Sequence, residues 1–219
     1  MPPRCKYHSP KCKPSHKNDC DTARVSFNAD LWLGLDPAGH LFETLTWLLR
    51  GAQEWQLQKD LNLQVGGYST EVYAMDDVLL RVRSLFEFFF GKGENYVHVE
   101  CMFGVAQPSQ PADFKNWKNQ LHILSLHLQD RSKAGQLQEY AGTTMKDLNR
   151  MPADLARAVV GAWKDFESSL SKVGDTVNYV KAKKAREQAE EDSRWVVKAA
   201  GDRWAAYKAA NLDNVQQLF

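Results

Sequence analysis

The chain has 219 residues, of which 43% are hydrophobic and 11% aromatic, a composition that supports a packed core and excludes a disordered chain. Its formal net charge of +1 excludes a protein that binds nucleic acid through overall charge. The charge is uneven, because residues 1–24 hold six Lys and Arg against two Asp and Glu. A polyanion would therefore meet the N-terminal segment first.

No stretch of the sequence has the length and apolarity needed to span a bilayer. The best candidate, VLLRVRSLFEFFF, is interrupted by Arg81, Arg83 and Glu87. The opening MPPRCKYHSPKCK lacks the apolar region of a secretory signal peptide. We therefore expect a cytoplasmic protein with reduced thiols and no membrane partner.

The first 26 residues are rich in Pro, Lys, Cys and His, which predicts a basic tail outside the core. Its candidate metal ligands are Cys5, His8, Cys12, His16 and Cys20. Thiolate and imidazole together suit zinc, and a metal would order a segment that cannot bury a core. The spacing C-x2-H-x3-C-x3-H-x3-C matches no common zinc finger, so a zinc site and a disordered basic tail both stay open.

Two strongly periodic helices are predicted next along the chain. In residues 39–59, apolar residues recur at alternating steps of four and three: Leu41, Leu45, Leu48, Ala52 and Trp55. The second helix, from about Glu71 to Phe90, follows the capping residues Ser69 or Thr70 and stops at Gly91. Its predicted buried face is Met75, Val78, Leu79, Val82, Leu85, Phe86 and Phe89.

The second half of the chain continues this helical pattern. Residues 91–111 form a connector in which YVHVECMF is a possible short strand, and a helix follows from about Asp113 to residue 130. Pro152 opens another helix, whose predicted stripe is Leu155, Val159, Ala162, Phe166, Leu170 and Val173. Residues 176–217 form one charged helix or a helical pair interrupted at Gly201. The aromatic residues of that last segment either pack on the chain itself or face a partner: Trp195, Trp204 and Tyr207.

Short connections between amphipathic helices predict an all-α fold, an antiparallel helical bundle. We divide the chain into the basic Cys/His tail at 1–26, a helical bundle domain at 27–175 and a charged C-terminal helical extension at 176–219.

Three polar residues lie at the margins of two predicted helices. On the helix that contains Trp117, His127 falls about 80° from Trp117, whereas His122 falls about 140° from it. Arg131, four residues after His127, shares its edge, and Arg83 holds a similar marginal position on the preceding helix. If the two helices pack together, Arg83, His127 and Arg131 form one polar seam, which either ties the helices together by hydrogen bonds or serves as a site.

The run from DDVLLRVRSLFEFFFG through YVHVECMF to LHILSLHLQDRS resembles the HEPN class of four-helix domains. The matching residues are Arg83, Leu85, Phe88, Phe89, Glu100, Phe103, Trp117, Leu121, His127, Leu128 and Arg131. The resemblance implies a HEPN-like core at about 39–132 and homodimers, and in many members a metal-independent ribonuclease. Their catalytic motif has an Arg and a His with four to six residues between them, and this chain has no such pair. It also departs from the pattern at Leu80 and His122.

These observations leave three hypotheses of function. The first is a HEPN-like, non-enzymatic interaction module that acts through a homo-oligomer or a protein partner. The second is a ribonuclease in which His127 carries the proton and Arg83 or Arg131 holds the phosphate, with RNA as its substrate. The third is a zinc-dependent nucleic-acid-binding protein led by the N-terminal tail. The first needs no cofactor, and the familiar phosphate-loop, zinc-protease and serine-hydrolase motifs are missing from the sequence.

Overall fold

A computed structural model of the protein describes residues 29–35, 39–61, 64–65, 68–69, 71–91, 98–111 and 150–209. The helices in chain order are α1 (Ala29–Leu33), α2 (His40–Leu61), α3 (Glu71–Phe90), α4 (Val99–Phe103), α5 (Met151–Lys172) and α6 (Thr176–Ala209). Two strands of two residues each, β1 (Gln64–Val65) and β2 (Tyr68–Ser69), pair antiparallel between α2 and α3. The predicted all-α fold is confirmed. None of the described helices is both long and apolar enough to cross a membrane.

Helices α2 and α3 form an antiparallel pair with a close approach at Gly51. A Cβ atom at Gly51 would lie 3.0 Å from Val78 and 3.3 Å from the Asp77 carboxylate, so glycine permits this spacing. One turn away in both helices, the Arg81 guanidinium lies 6.0 Å from the Trp47 ring centroid. The predicted bounds of both helices agree with the structure to within about two residues, and all five residues of the predicted α2 stripe are buried.

Aromatic rings join α3 to α5 at the centre of the bundle. Phe89 lies 6.0 Å from Trp163 and 6.1 Å from Phe166, measured between ring centroids. Phe88 lies 6.1 Å from Phe166 and 6.2 Å from Trp32 of α1. The contacts with Trp163 and Phe166 are edge or tilted and the contact with Trp32 is stacked, and such ring pairs add to the free energy gained by burial. These contacts hold α5 against the hairpin of α2 and α3.

The edge of the predicted α3 face differs from the structure, although Phe89 lies at the centre of the core as predicted. Phe86 is only partly buried, whereas Phe88, which the predicted face omitted, is 3% exposed. Phe88 is buried because α1, α4 and α5 bring Trp32, Phe103 and Phe166 to its flank of the helix. Phe86 instead pairs with Phe90, at 5.3 Å between centroids, on the other flank.

The possible strand in YVHVECMF is also wrong, because Val99–Phe103 is the short helix α4. The helix ends at Gly104, whose φ of 67° lies in the left-handed region that glycine adopts without steric cost. The Gly104 amide donates to the Glu100 carbonyl at 3.1 Å and closes the last turn.

A tight turn reverses the chain between α5 and α6. The amides of Gly174 and Asp175 donate to the carbonyls of Ser171 and Leu170, which is a Schellman motif with Gly174 at φ 77°. The Asp175 carboxylate then accepts from the Asn178 amide at 3.1 Å and caps α6. Val173, predicted as part of the α5 stripe, lies in this turn and is 55% exposed.

Helix α6 is continuous through Gly201 and is about 51 Å long at 1.5 Å per residue. A Cβ at Gly201 would lie 3.7 Å from Leu57, so the helix still runs beside α2 at that point. Its first half is part of the core, because its inward residues are fully buried: Ala182, Ala185, Ala189 and Ser193. The predicted helix from Asp113 lies outside the described residues.

Candidate interaction surface

Of the predicted polar seam, the structure describes Arg83 alone. Its Nε donates to Glu87 Oε1 at 3.1 Å, one turn along the same helix, and both side chains are about 30% exposed. Ion pairs of this kind between neighbouring turns contribute only a few tenths of a kcal/mol, roughly 0.3–0.5. His127 and Arg131 lie outside the described residues, so their meeting with Arg83 stays a prediction.

The predicted zinc ligands, Cys5, His8, Cys12, His16 and Cys20, also lie outside the described residues. Among the residues that the structure does describe, no group of three or more His, Cys, Asp or Glu side chains could hold a metal ion. The zinc hypothesis therefore stays a prediction about the tail.

A buried ion pair attaches α6 to α5. Arg186 Nε donates to Glu167 Oε1 at 2.7 Å and its Nη2 donates to Oε2 at 3.2 Å, a two-point contact. The side chains of Arg186 and Glu167 are 10% and 8% exposed. A second carboxylate, that of Glu190, accepts from Arg186 Nη1 at 3.4 Å.

The hydrogen bonds to Glu167 raise the pKa of Arg186 above its ordinary value, and the negative charges of Glu167 and Glu190 act in the same direction against the effect of burial. Because the folded-state pKa is raised, the stabilisation is fully present below the ordinary arginine pKa. It is lost only as the pH rises through the still higher folded-state value. Arg186 therefore stays charged in any ordinary buffer.

Two more polar contacts fix the rotation of α6 about its own axis. The Trp163 indole N–H donates to the Ala182 carbonyl at 3.0 Å, inside the core. Farther along, Gln53 Nε2 of α2 donates to the Ser193 hydroxyl at 3.0 Å, and that hydroxyl donates to the Glu190 carbonyl. Together with the Glu167 pair, these contacts determine which residues of α6 face solvent.

The solvent-facing side of α6 carries three large apolar side chains. Trp195 is 71% exposed, Val177 is 62% exposed and Val180 is 58% exposed. On the inner side of α6, the structure describes buried alanines and the partly buried Tyr179, which packs against the core. An amphipathic helix on a protein surface normally turns its large apolar residues toward the core, so the three exposed ones are unusual.

Charged residues separate the apolar ones on this face. We call the row Val177, Val180, Lys184, Glu187, Glu191 and Trp195 the outer seam. Its members follow one another at steps of three or four residues, so they share one face of the helix. The sequence left open whether Trp195 packs on the chain or faces a partner, and the structure places it in solvent. The side chains of Trp204 and Tyr207 lie outside the described part of the chain.

The sequence did contain a signal for the face of α6 that packs against the core. Ala182, Ala185, Ala189 and Ser193 also recur at steps of three and four, which marks them as one face. Sequence reasoning missed this face because alanine contributes little to a hydrophobic pattern. Within the predicted charged helix, the sequence also does not distinguish Arg186 from the charged residues around it, although Arg186 is buried.

Trp47, another tryptophan with solvent exposure, has a different environment. Trp47 is 37% exposed, and the guanidinium of Arg50 lies 4.7 Å from its ring centroid, with Arg81 at 6.0 Å. Both arginines are paired with carboxylates of their own helices, Glu54 and Asp77. Cations over the ring face stabilise Trp47 in place on the surface of the monomer.

Comparison of the chain with known protein families, with curated proteins and with solved structures finds no match. The resemblance to HEPN domains therefore rests on the sequence positions given above.

Proposed function

We propose that this protein is a helical interaction module, HEPN-like in its sequence pattern and non-enzymatic, which acts by binding a protein partner through the outer seam of α6. The observation that carries the proposal is the exposure of three large apolar side chains on one face of α6: Val177, Val180 and Trp195.

The energetics of apolar surface support this assignment. Removing apolar area from water contributes roughly 25 cal/mol per Å2, so the exposed indole of Trp195 represents a gain that folding leaves unused and association recovers. Tryptophan is also among the residues that most often dominate the binding energy of interfaces. Single exposed hydrophobic residues are common on any protein, whereas three on one face of one helix indicate a contact surface.

A site-specific photo-crosslinker tests the proposal. A photoreactive phenylalanine analogue replaces Trp195 in one variant and Asp165 in the control, because Asp165 is exposed on α5, away from the outer seam. Both variants are irradiated in the cells from which the protein comes, and the second chain of each adduct is identified by mass spectrometry.

We expect a discrete adduct with an identified protein chain from position 195 and none from position 165. Equal labelling at both positions, or no adduct at position 195, contradicts the proposed function.

A further inference from the structure

We infer that Trp47, Arg50 and Arg81 form a binding site for a phosphorylated tyrosine side chain of another protein. The three residues lie where α2 and α3 approach each other, and none of them belongs to the outer seam of α6. The inference therefore goes beyond the proposed function and does not depend on it. We call these three residues the Trp47 site.

Two guanidinium groups from different helices meet at one indole ring. The Cζ atom of Arg50 lies 4.7 Å from the Trp47 ring centroid, and the Cζ atom of Arg81 lies 6.0 Å from the same centroid. The helices come this close because Gly51, one turn after Trp47, has no side chain to hold α3 away. One ligand can therefore contact both guanidinium groups and the ring.

Each of the two arginines is held through its Nε atom, which leaves its terminal Nη atoms for a ligand. Arg81 Nε donates to Asp77 Oδ1 at 3.3 Å. Arg50 Nε lies 3.4 Å from Glu54 Oε2, but it is buried and makes no hydrogen bond to the described residues. Within the described part of the chain, the Nη atoms of both arginines have no hydrogen-bond acceptor. The two carboxylates thus position the guanidinium groups without occupying the edges that bind oxyanions.

The number of available guanidinium edges favours a phosphate monoester over other anions. One such edge binds two oxygens of a carboxylate or a phosphate at once. A monoester has three terminal oxygens and a charge of about −1.5 to −2 at neutral pH, so it can engage two arginines. A carboxylate or a phosphodiester offers two oxygens and one charge, which a single arginine satisfies. Because Glu54 and Asp77 repel every anion, the ligand with more charge and more oxygens is the one that offsets this repulsion.

The exposure of the Trp47 site indicates that the phosphate is carried by a macromolecule. Trp47 is 37% exposed and each arginine side chain is 31% exposed, whereas a small-molecule site usually buries about 70–90% of its ligand. A protein segment supplies further contacts around its phosphate, and arginine clusters are a general means of binding phosphorylated segments. A phosphate that contacts both arginines lies close to the indole ring. An aromatic carrier, which is tyrosine, can then pack against Trp47.

The test is an NMR titration of the full chain with phenyl phosphate at about pH 7.5, where the monoester is close to a dianion. The indole N–H signal of Trp47 reports binding, and the spectrum of Trp47→Phe assigns that signal. Replacing both arginines, Arg50→Gln together with Arg81→Gln, is expected to raise the Kd at least about 10-fold, because charge-assisted hydrogen bonds are lost. Arg83→Gln is the matched control and should leave the Kd unchanged, since Arg83 makes the same kind of pair with Glu87 on α3.

Three further probes test the chemistry of the ligand and its source. Dimethyl phosphate, a diester, should bind at least about 5-fold more weakly than phenyl phosphate, because it has one charge and lacks the third terminal oxygen. Adenosine monophosphate should also bind more weakly, since its ribose separates the base from the phosphate. A glycine peptide that contains one phosphotyrosine should bind at least as tightly as phenyl phosphate.

Circular dichroism of every variant verifies that the fold is retained. An indole signal that phenyl phosphate does not shift overturns the inference, and so does a Kd that the double arginine variant leaves unchanged. Binding of the diester as tight as that of phenyl phosphate would indicate a nucleic-acid backbone, and tighter binding of adenosine monophosphate would indicate a nucleotide. Either result refutes phosphotyrosine as the ligand. Crosslinking from position 195 does not involve the Trp47 site, so the proposed function stands or falls separately.

Discussion

The ion pair between Glu167 and Arg186 provides the sharpest test of how α6 is held in the bundle. Glu167→Leu removes a carboxylate that makes contacts of 2.7 and 3.2 Å with the guanidinium, and it leaves Arg186 buried. Removing one partner of a buried ion pair typically costs about 3–5 kcal/mol of stability, because the remaining charge is uncompensated. Glu190 stays within 3.4 Å of Arg186 and offsets part of that cost. We therefore expect a loss of about 3 kcal/mol in the free energy of unfolding.

Urea unfolding followed by circular dichroism measures this loss, and Arg186→Leu and the double variant complete a double-mutant cycle. Replacing both partners with leucine removes the buried charge altogether, so the double variant should be more stable than Glu167→Leu alone. We expect a coupling free energy of about 2 kcal/mol between the two positions.

The matched control is Arg83→Leu, which breaks the half-exposed pair with Glu87 and should cost no more than about 0.5 kcal/mol. A loss below about 1 kcal/mol for Glu167→Leu would refute the reasoning, as would a double variant less stable than either single variant. Either result would mean that the alanine contacts alone hold α6 in place.

Three further predictions concern the core, an exposed position within α5 and the end of that helix, and urea unfolding tests each of them. Phe88→Ala should lower the free energy of unfolding by about 3–5 kcal/mol, because four aromatic rings lose their contact with a buried ring. Phe86→Ala should lower it clearly less, by about 1–2 kcal/mol. Equal losses for the two variants would contradict the assigned core. Gly161→Ala in α5 should stabilise the protein by about 0.5–1 kcal/mol, because a Cβ atom there would have no neighbour within 4 Å and alanine favours the helix. A less stable variant would contradict the open space at this position. Gly174→Ala should cost about 1–2 kcal/mol because its φ of 77° strains any residue with a Cβ, and an unchanged midpoint would mean that the turn rearranges.

The helices that the sequence predicted well are those whose core residues are large. In α2, α3 and α5, leucines and aromatic residues recur at helical spacing, and each buried side chain of this size contributes about 1.5–3 kcal/mol. Such a pattern identifies the buried face before any neighbour is known. The pattern does not show which residues at the edge of the buried face are covered. Phe86 and Phe88 demonstrate this, because burial at the edge depends on which elements pack there.

The short helix α4 and the inner face of α6 show two other limits of the sequence. Alternating valines around His98 fit a strand, but a segment of five residues takes its conformation from its surroundings, and Gly104 closes it as a helix. In α6 the buried apolar residues that the structure describes are alanines, whose burial yields little free energy and whose small size lets helices approach. Neither Glu167 nor Arg186 is distinguishable from a solvated charge until α5 and α6 are placed side by side.

The two faces of α6 are physically connected. Small inward residues bring the helix close to α2 and α5, and the contacts of Arg186, Trp163 and Ser193 then fix its rotation. A helix held in this way presents the outer seam in one orientation, so a partner that binds there does not have to order the backbone first. Ordering a flexible segment on binding has an entropic cost that weakens the complex, and a preformed helix avoids that cost. For this reason the face of a single helix can give a specific complex, and Glu167→Leu should weaken partner binding although Glu167 lies on the opposite side of α6 from the outer seam. Photo-crosslinking from position 195 in the Glu167→Leu background tests this coupling, and an adduct yield equal to that of the chain with Glu167 would contradict it.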